Sequence, residues 1–193
     1  MTELTRASIC ELAERYRQTA PFAGVEQTAL DSFPAAARED DLRWRDAEWM
    51  VRWYYRRHLT SQYNDRRSAA EAAFRENEWP AVREAIESTV DGTDADDRIA
   101  MLTPLSGIDV GVASAILFFT SPTRDIAMGE PEWASLVAFG RLDRPYPAAP
   151  SPADYSEFRQ ACLAIGDELG VDLVTLQRGL WQHGVATAQL QPE

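Results

Sequence analysis

The chain has 193 residues, of which 45% are apolar, and a net charge of −12 from 31 acidic and 19 basic side chains. That length suits one domain or two small lobes, and that apolar fraction excludes a disordered chain. No run of 18 apolar residues occurs, and no hydrophobic stretch follows the opening Met-Thr-Glu-Leu-Thr-Arg, so no membrane partner is expected and a cytoplasmic location is.

Almost every segment reads as helix. Residues 3–18 place Leu4, Ile9, Leu12 and Tyr16 on one stripe. Residues 19–42 are interrupted by Pro21, Gly24 and Pro34 and read as a loop-rich connector with a short helix near 26–33. A long helix dense in aromatic residues and arginine is expected near 44–60. Asn64 is placed to cap a helix reaching about Asn77, and Pro80 suits the first turn of the next, which runs to about Val90. An acidic loop over 91–97 leads to a helix ending near Leu102. Residues 105–117, Leu-Ser-Gly-Ile-Asp-Val-Gly-Val-Ala-Ser-Ala-Ile-Leu, then predict a glycine-containing turn and a packed helix over about 109–119. Ser121-Pro122-Thr123-Arg124 is a turn, 131–139 a short helix, and the proline-rich 143–152 an extended loop. Ser151 caps a helix to about Leu169, and Asp172 caps the last helix, which Gly184 closes. No stretch alternates as a strand would, so the predicted fold is all-α.

All the basic residues are arginine; the chain has no lysine. Acidity without lysine fits a salt-filled cytoplasm, as in halophilic archaea, where dense carboxylates keep a protein hydrated. GC-rich codon bias is the plainer alternative. A lysine Schiff base is excluded as a catalytic device. Cys10 and Cys162 lie too far apart for a CxxC site, and His58 and His183 are isolated and read as surface or helix-end residues. Neither a metal site, an iron–sulfur cluster nor any other cofactor is expected.

Two stretches carry candidate chemistry. Residues 43–67 hold a net +4 against −16 for the rest of the chain. Arginine pairs with phosphate in a fork and aromatics stack on unpaired bases, which makes Arg52, Arg56 and Arg57 a candidate basic face. Trp49, Trp53, Met50 and Tyr54 fall at helical spacing and read as core. The second stretch is the turn at 105–111. A turn opening onto a helix exposes unpaired N–H groups that can hold a phosphate, so Gly107, Ile108, Asp109 and Gly111 are candidate DNA-backbone contacts. The same glycines also suit a plain tight turn between helices.

Residues 105–117 resemble the second half of a helix-hairpin-helix element, Leu-Pro-Gly-Val-Gly-x-x-x-Ala. Downstream, Met128-Gly129-Glu130-Pro131-Glu132-Trp133-Ala134-Ser135-Leu136 is similar to a block written Ile-Asp-x-Arg-x-Trp-x-x-Leu. Glu48–Trp53 and the final helix, 173–184, are similar to the same group of proteins. Together, over about 43–184, the chain resembles the helix-hairpin-helix DNA glycosylases, the HhH-GPD superfamily. The resemblance implies a two-lobed helical bundle with a cleft between the lobes. Residues 1–42 would be an N-terminal helix and connector, 43–184 the glycosylase-like domain and 185–193 a tail. It further implies a double-stranded DNA partner, a base flipped into the cleft, and monofunctional hydrolysis of an N-glycosidic bond. The chain departs from the pattern at its chemical positions. Asp109 stands where the hairpin's second glycine does, the catalytic aspartate falls on Gly129, and the following arginine falls on Pro131. A carboxylate is needed there to stabilise positive charge on the sugar and to orient water. Glu130, one residue on and one methylene longer, is the candidate, and Glu132 is the next; both also read as solvated acids at a helix start. The alternative is a catalytically inactive member, a DNA-binding or protein-interaction module.

Overall fold

Thr5 Oγ1 accepts the Ser8 amide at 3.2 Å while the Thr5 amide donates to Ser8 Oγ, and this reciprocal cap starts α1 (Arg6–Thr19). The computed structural model describes residues 3–57 and 61–189, without the side chains of 61–63 and 189; His58 lies outside them. Among the described residues nine further helices follow and no strand occurs. They are α2 (Ala23–Arg38), α3 (Trp44–Arg56), α4 (Ser61–Phe74), α5 (Trp79–Val90), α6 (Ala95–Leu102), α7 (Val110–Thr120), α8 (Glu130–Ala138), α9 (Pro152–Leu169) and α10 (Leu173–Gln189). The all-α expectation holds. No described helix is long and apolar enough to cross a membrane.

α7 is buried along its whole length, which its unbroken apolar sequence dictates: a helix apolar on every face finds solvent nowhere. α2, α3, α5, α6 and α9 pack around it, and α1 and α8 each pack against α10 as a second group. Trp53 stacks on Phe118 at 5.8 Å and meets Phe119 edge-on at 4.7 Å, so it belongs to the core as its spacing predicts.

Four expectations change. The supposed connector is the 16-residue helix α2, with Pro34 inside it. A helical proline costs about 3 kcal/mol. Burial of Ala29, Leu30 and Ala37, and edge-on contacts of Phe33 with Trp49 and Phe119, outweigh that cost. Asn64 lies within α4 instead of capping it, and α3 ends at Arg56, short of residue 60. Gly184 does not close α10, which continues to Gln189. A side-chain carbon at Gly184 would overlap the Pro131 carbonyl, so this glycine lets α10 lie directly on the start of α8.

Buried charge clusters cross-link the helices. Glu26 on α2, 1% exposed, accepts from Tyr16 Oη at 2.5 Å, Trp53 Nε1 at 3.0 Å and Arg178 Nε at 2.9 Å, tying α1, α2, α3 and α10 together. The first 42 residues therefore share the core of the rest. Arg98 on α6 donates to Asp125 Oδ1 at 3.0 Å and to the Thr89 carbonyl at 2.8 Å. Asp125 also accepts from Tyr155 Oη and Arg159 Nε, each at 3.2 Å.

Candidate functional site

The turn between α6 and α7 is built from its own side chains. Asn77 grips it from outside: its Nδ2 donates to the Ser106 carbonyl at 2.9 Å and its Oδ1 accepts the Ser106 amide at 2.9 Å. Gly107 takes φ +76°, a left-handed value that glycine adopts freely. A side-chain carbon there would also overlap the Ala70 carbonyl and come within 2.7 Å of the Phe74 amide. Gly111 faces Tyr54 so closely that the same carbon would overlap the phenol oxygen. Both glycines are thus accounted for by packing against α4 and α3.

Asp109 caps α7. Its Oδ1 accepts the Val112 amide at 2.8 Å, and its Oδ2 accepts from Tyr55 Oη at 3.5 Å. A carboxylate at a helix N-terminus satisfies the unpaired N–H groups and the dipole together. The positions expected to receive a phosphate already hold this internal anion. Burial first, and then Asp109, push the Tyr55 hydroxyl well above its ordinary range, so it stays a neutral donor.

Further along, Ser114 of α7 donates to the Gly111 carbonyl at 2.6 Å and accepts the Met128 amide at 2.8 Å. This pins the buried segment 126–128 alongside α7, and Glu130, the first residue of α8, follows it to the cavity bordered by the 107–111 turn. Trp133 stacks against Phe158 and donates Nε1 to the Arg144 carbonyl at 2.8 Å, and Tyr146 packs edge-on to it at 5.8 Å. The proline-rich loop is held there as a wall.

These elements enclose a cleft of about 650 Å³. Gly107, Ile108, Asp109 and Gly111 form one side, and Glu130 and Tyr146 another. Tyr54 and Tyr55 also line it, and α4 contributes Arg66 and the small side chains Ala69, Ala70 and Ala73. The structure thus brings the candidate carboxylate and the four turn residues to one cavity. Its lining charges are Asp109 and Glu130 against Arg66.

The expected basic face loses one of its three members. Arg57 turns inward, 7% exposed, and pairs with Glu132, to which Gln177 Nε2 also donates. Burial opposes the Arg57 charge, but Glu132 beside it outweighs that and raises its pKa. Arg57 also lies 4.2 Å over the Trp53 ring. Arg52 reaches Glu71 at 3.2 Å, and Arg56 lies 5.6 Å over Phe22.

Glu132 is the residue that sequence reasoning misplaced. It is fully buried, not solvated at a helix start. A side-chain carbon at Gly129 would fall 2.7 Å from Glu132 Oε2 and 3.5 Å from Arg57 Nη2. Gly129 is therefore the space that the Arg57–Glu132 pair occupies. Nothing local in the sequence couples residues 75 positions apart; the only trace was a glycine where a carboxylate was expected.

The described residues contain no group of three His, Cys, Asp or Glu side chains arranged to hold a metal. Comparison with protein-family models, with curated proteins and with solved structures finds no match for this chain.

Replacement of Gly107 by alanine is expected to cost at least about 2 kcal/mol, because left-handed strain adds to overlap with α4. Gly140 offers the internal control: it has φ +67° with nothing within 4 Å of an added carbon. Alanine there should cost about 1 kcal/mol. Equal shifts in urea midpoint for the two variants would rule out the packing role of Gly107.

Proposed function

We propose that the cleft receives a base displaced from double-stranded DNA and that the chain acts as a monofunctional DNA glycosylase of the helix-hairpin-helix type. One observation carries this reading: Glu130 and the 107–111 turn border the same cavity. Its volume of about 650 Å³ lies in the range of small-molecule sites and admits a base with its sugar. Tyr146, half-buried in the cleft lining, supplies a flat surface for a base.

In this reading the bond from the base nitrogen to the sugar C1′ breaks, and the pair of electrons leaves with the base, which takes a proton. The sugar gains positive charge, which the Glu130 carboxylate stabilises while it accepts the proton of the attacking water and releases it to solvent, the source of the proton the base takes. Water ends as the C1′ hydroxyl. With no lysine in the chain, strand cutting through a lysine Schiff base is excluded.

A second reading, binding without excision, is favoured by the Arg57–Glu132 pair at Gly129 and by Asp109 on the α7 N-terminus. Two measurements separate the readings. In molar KCl the protein should prefer a duplex carrying an abasic-site analogue over the intact duplex. On duplexes bearing single damaged or mismatched bases, Glu130→Gln should lower the excision rate about 100- to 1000-fold while keeping the binding preference. A binding preference without excision by the wild type selects the second reading. Failure to bind either duplex removes both.

A further inference from the structure

Arg52 and Arg56 of α3 and Arg67 and Arg75 of α4 converge on two carboxylates, Glu48 and Glu71. Arg52 Nε lies 3.2 Å and Arg67 Nε 3.4 Å from Glu71. Arg75 reaches Glu48 at 2.7 Å and Glu71 at 3.4 Å, and Arg52 stands 3.8 Å from Glu48. Four guanidinium groups face two carboxylates, so positive charge is left over in a chain whose total is −12. Arg56 carries the surplus. Its Nε is shielded from solvent without a hydrogen-bond partner among the described residues, and the same holds for Arg67 Nε. Burial, then Arg52 and Arg67, lower the Arg56 pKa, while Glu71 alone opposes them. Like charges held together at half-buried positions cost stability. In a chain with 31 acidic residues, a balanced lattice was within easy reach of substitution.

We infer that Arg52, Arg56 and Arg67 form a phosphate-binding surface for the DNA backbone, beside the cleft that takes the base. This rests on the reading of DNA as the partner and says which surface grips it. The α6–α7 turn is poorly suited to that task, since Asp109 already neutralises the α7 N-terminus. α4 links the two regions. Its Arg66, Ala69, Ala70 and Ala73 line the cleft, while the next positions, Arg67 and Glu71, face α3. A phosphodiester brings the negative charge that Glu48 and Glu71 leave short, and a guanidinium fork holds such a group in two bonds.

The test titrates the protein with an undamaged duplex and with the same duplex carrying an abasic analogue, between about 0.2 and about 1 M KCl. For Arg56→Gln/Arg67→Gln, both duplexes should bind about tenfold more weakly and the slope of log Kd against log salt should fall by about 2. The preference for the abasic duplex should be unchanged, because the cleft is untouched. Glu71→Gln should act in the opposite direction, tightening both duplexes about threefold and steepening the slope. Arg141→Gln, whose partner is Glu168 elsewhere on the surface, should leave the slope alone. A double variant with wild-type slope and affinity overturns the arginine surface, while a retained abasic preference leaves the cleft reading standing. Wild-type protein that binds neither duplex overturns both.

Discussion

Asp125→Ala is expected to remove about 3–5 kcal/mol of stability, the usual effect of breaking one side of a buried ion pair. Asp125 is 0% exposed and Arg98 1%, so neither charge meets water once the other is gone. The truncation strands the Arg98 guanidinium, whose remaining bond is to the Thr89 carbonyl, and deprives Tyr155 and Arg159 of an acceptor. Against a typical net stability of 5–15 kcal/mol, such a loss moves the urea midpoint far and leaves the slope with denaturant unchanged. Replacing both partners, Arg98→Met with Asp125→Leu, should recover most of it, because no unpaired charge remains. A single variant within about 1 kcal/mol of wild type would show that water reaches this cluster, and the account of α6 held to α9 through Asp125 would fail.

The second large effect belongs to Arg57→Met, also expected to cost about 3–5 kcal/mol. It leaves Glu132 charged at 0% exposure with Gln177 as its remaining donor. It also removes the guanidinium from the Trp53 face, a smaller loss of about 1 kcal/mol. Adding Glu132→Leu should restore much of the stability. A double-mutant cycle measured by urea denaturation yields the coupling between the two residues. Coupling below about 0.5 kcal/mol would mean that the pair is solvated and that Gly129 is free to carry a side chain. The result bears on the chemistry as well as the fold. If the pair is strongly coupled, Glu132 is committed to a structural ion pair, and the acids left to the cleft are Glu130 and the α7 cap Asp109.

Much of the helix pattern was legible from spacing and caps. Ser151 and Asp172 start helices because a short polar side chain next to an apolar stripe satisfies the exposed amides. The centre of α7 was legible for a simpler reason, since its apolar run has no polar face to offer water. α2 was not legible, because Pro34 breaks helices locally and only the packing of Leu30 and Phe33 overrides it. Gly184 was misread for the same reason: its meaning lies in Pro131, 53 positions away, and not in its neighbours.

The candidate site divides along that line. Its turn residues and Glu130 were visible as sequence, since a glycine turn before a helix and an acid at a helix start are local patterns. Their meeting in one cleft was decided by the Ser114 bond to Met128, which only the fold supplies. The fates of Arg57 and Glu132 were decided there too. Charge and composition determined that this chain is acidic, lysine-free and helical, because those properties are sums over residues or repeat every few positions. Which arginine turns inward, which carboxylate is buried and which acid borders the cleft depend on contacts between residues far apart in the chain. Burial sets the energy of a charge by its surroundings, and those surroundings exist only after the helices have packed.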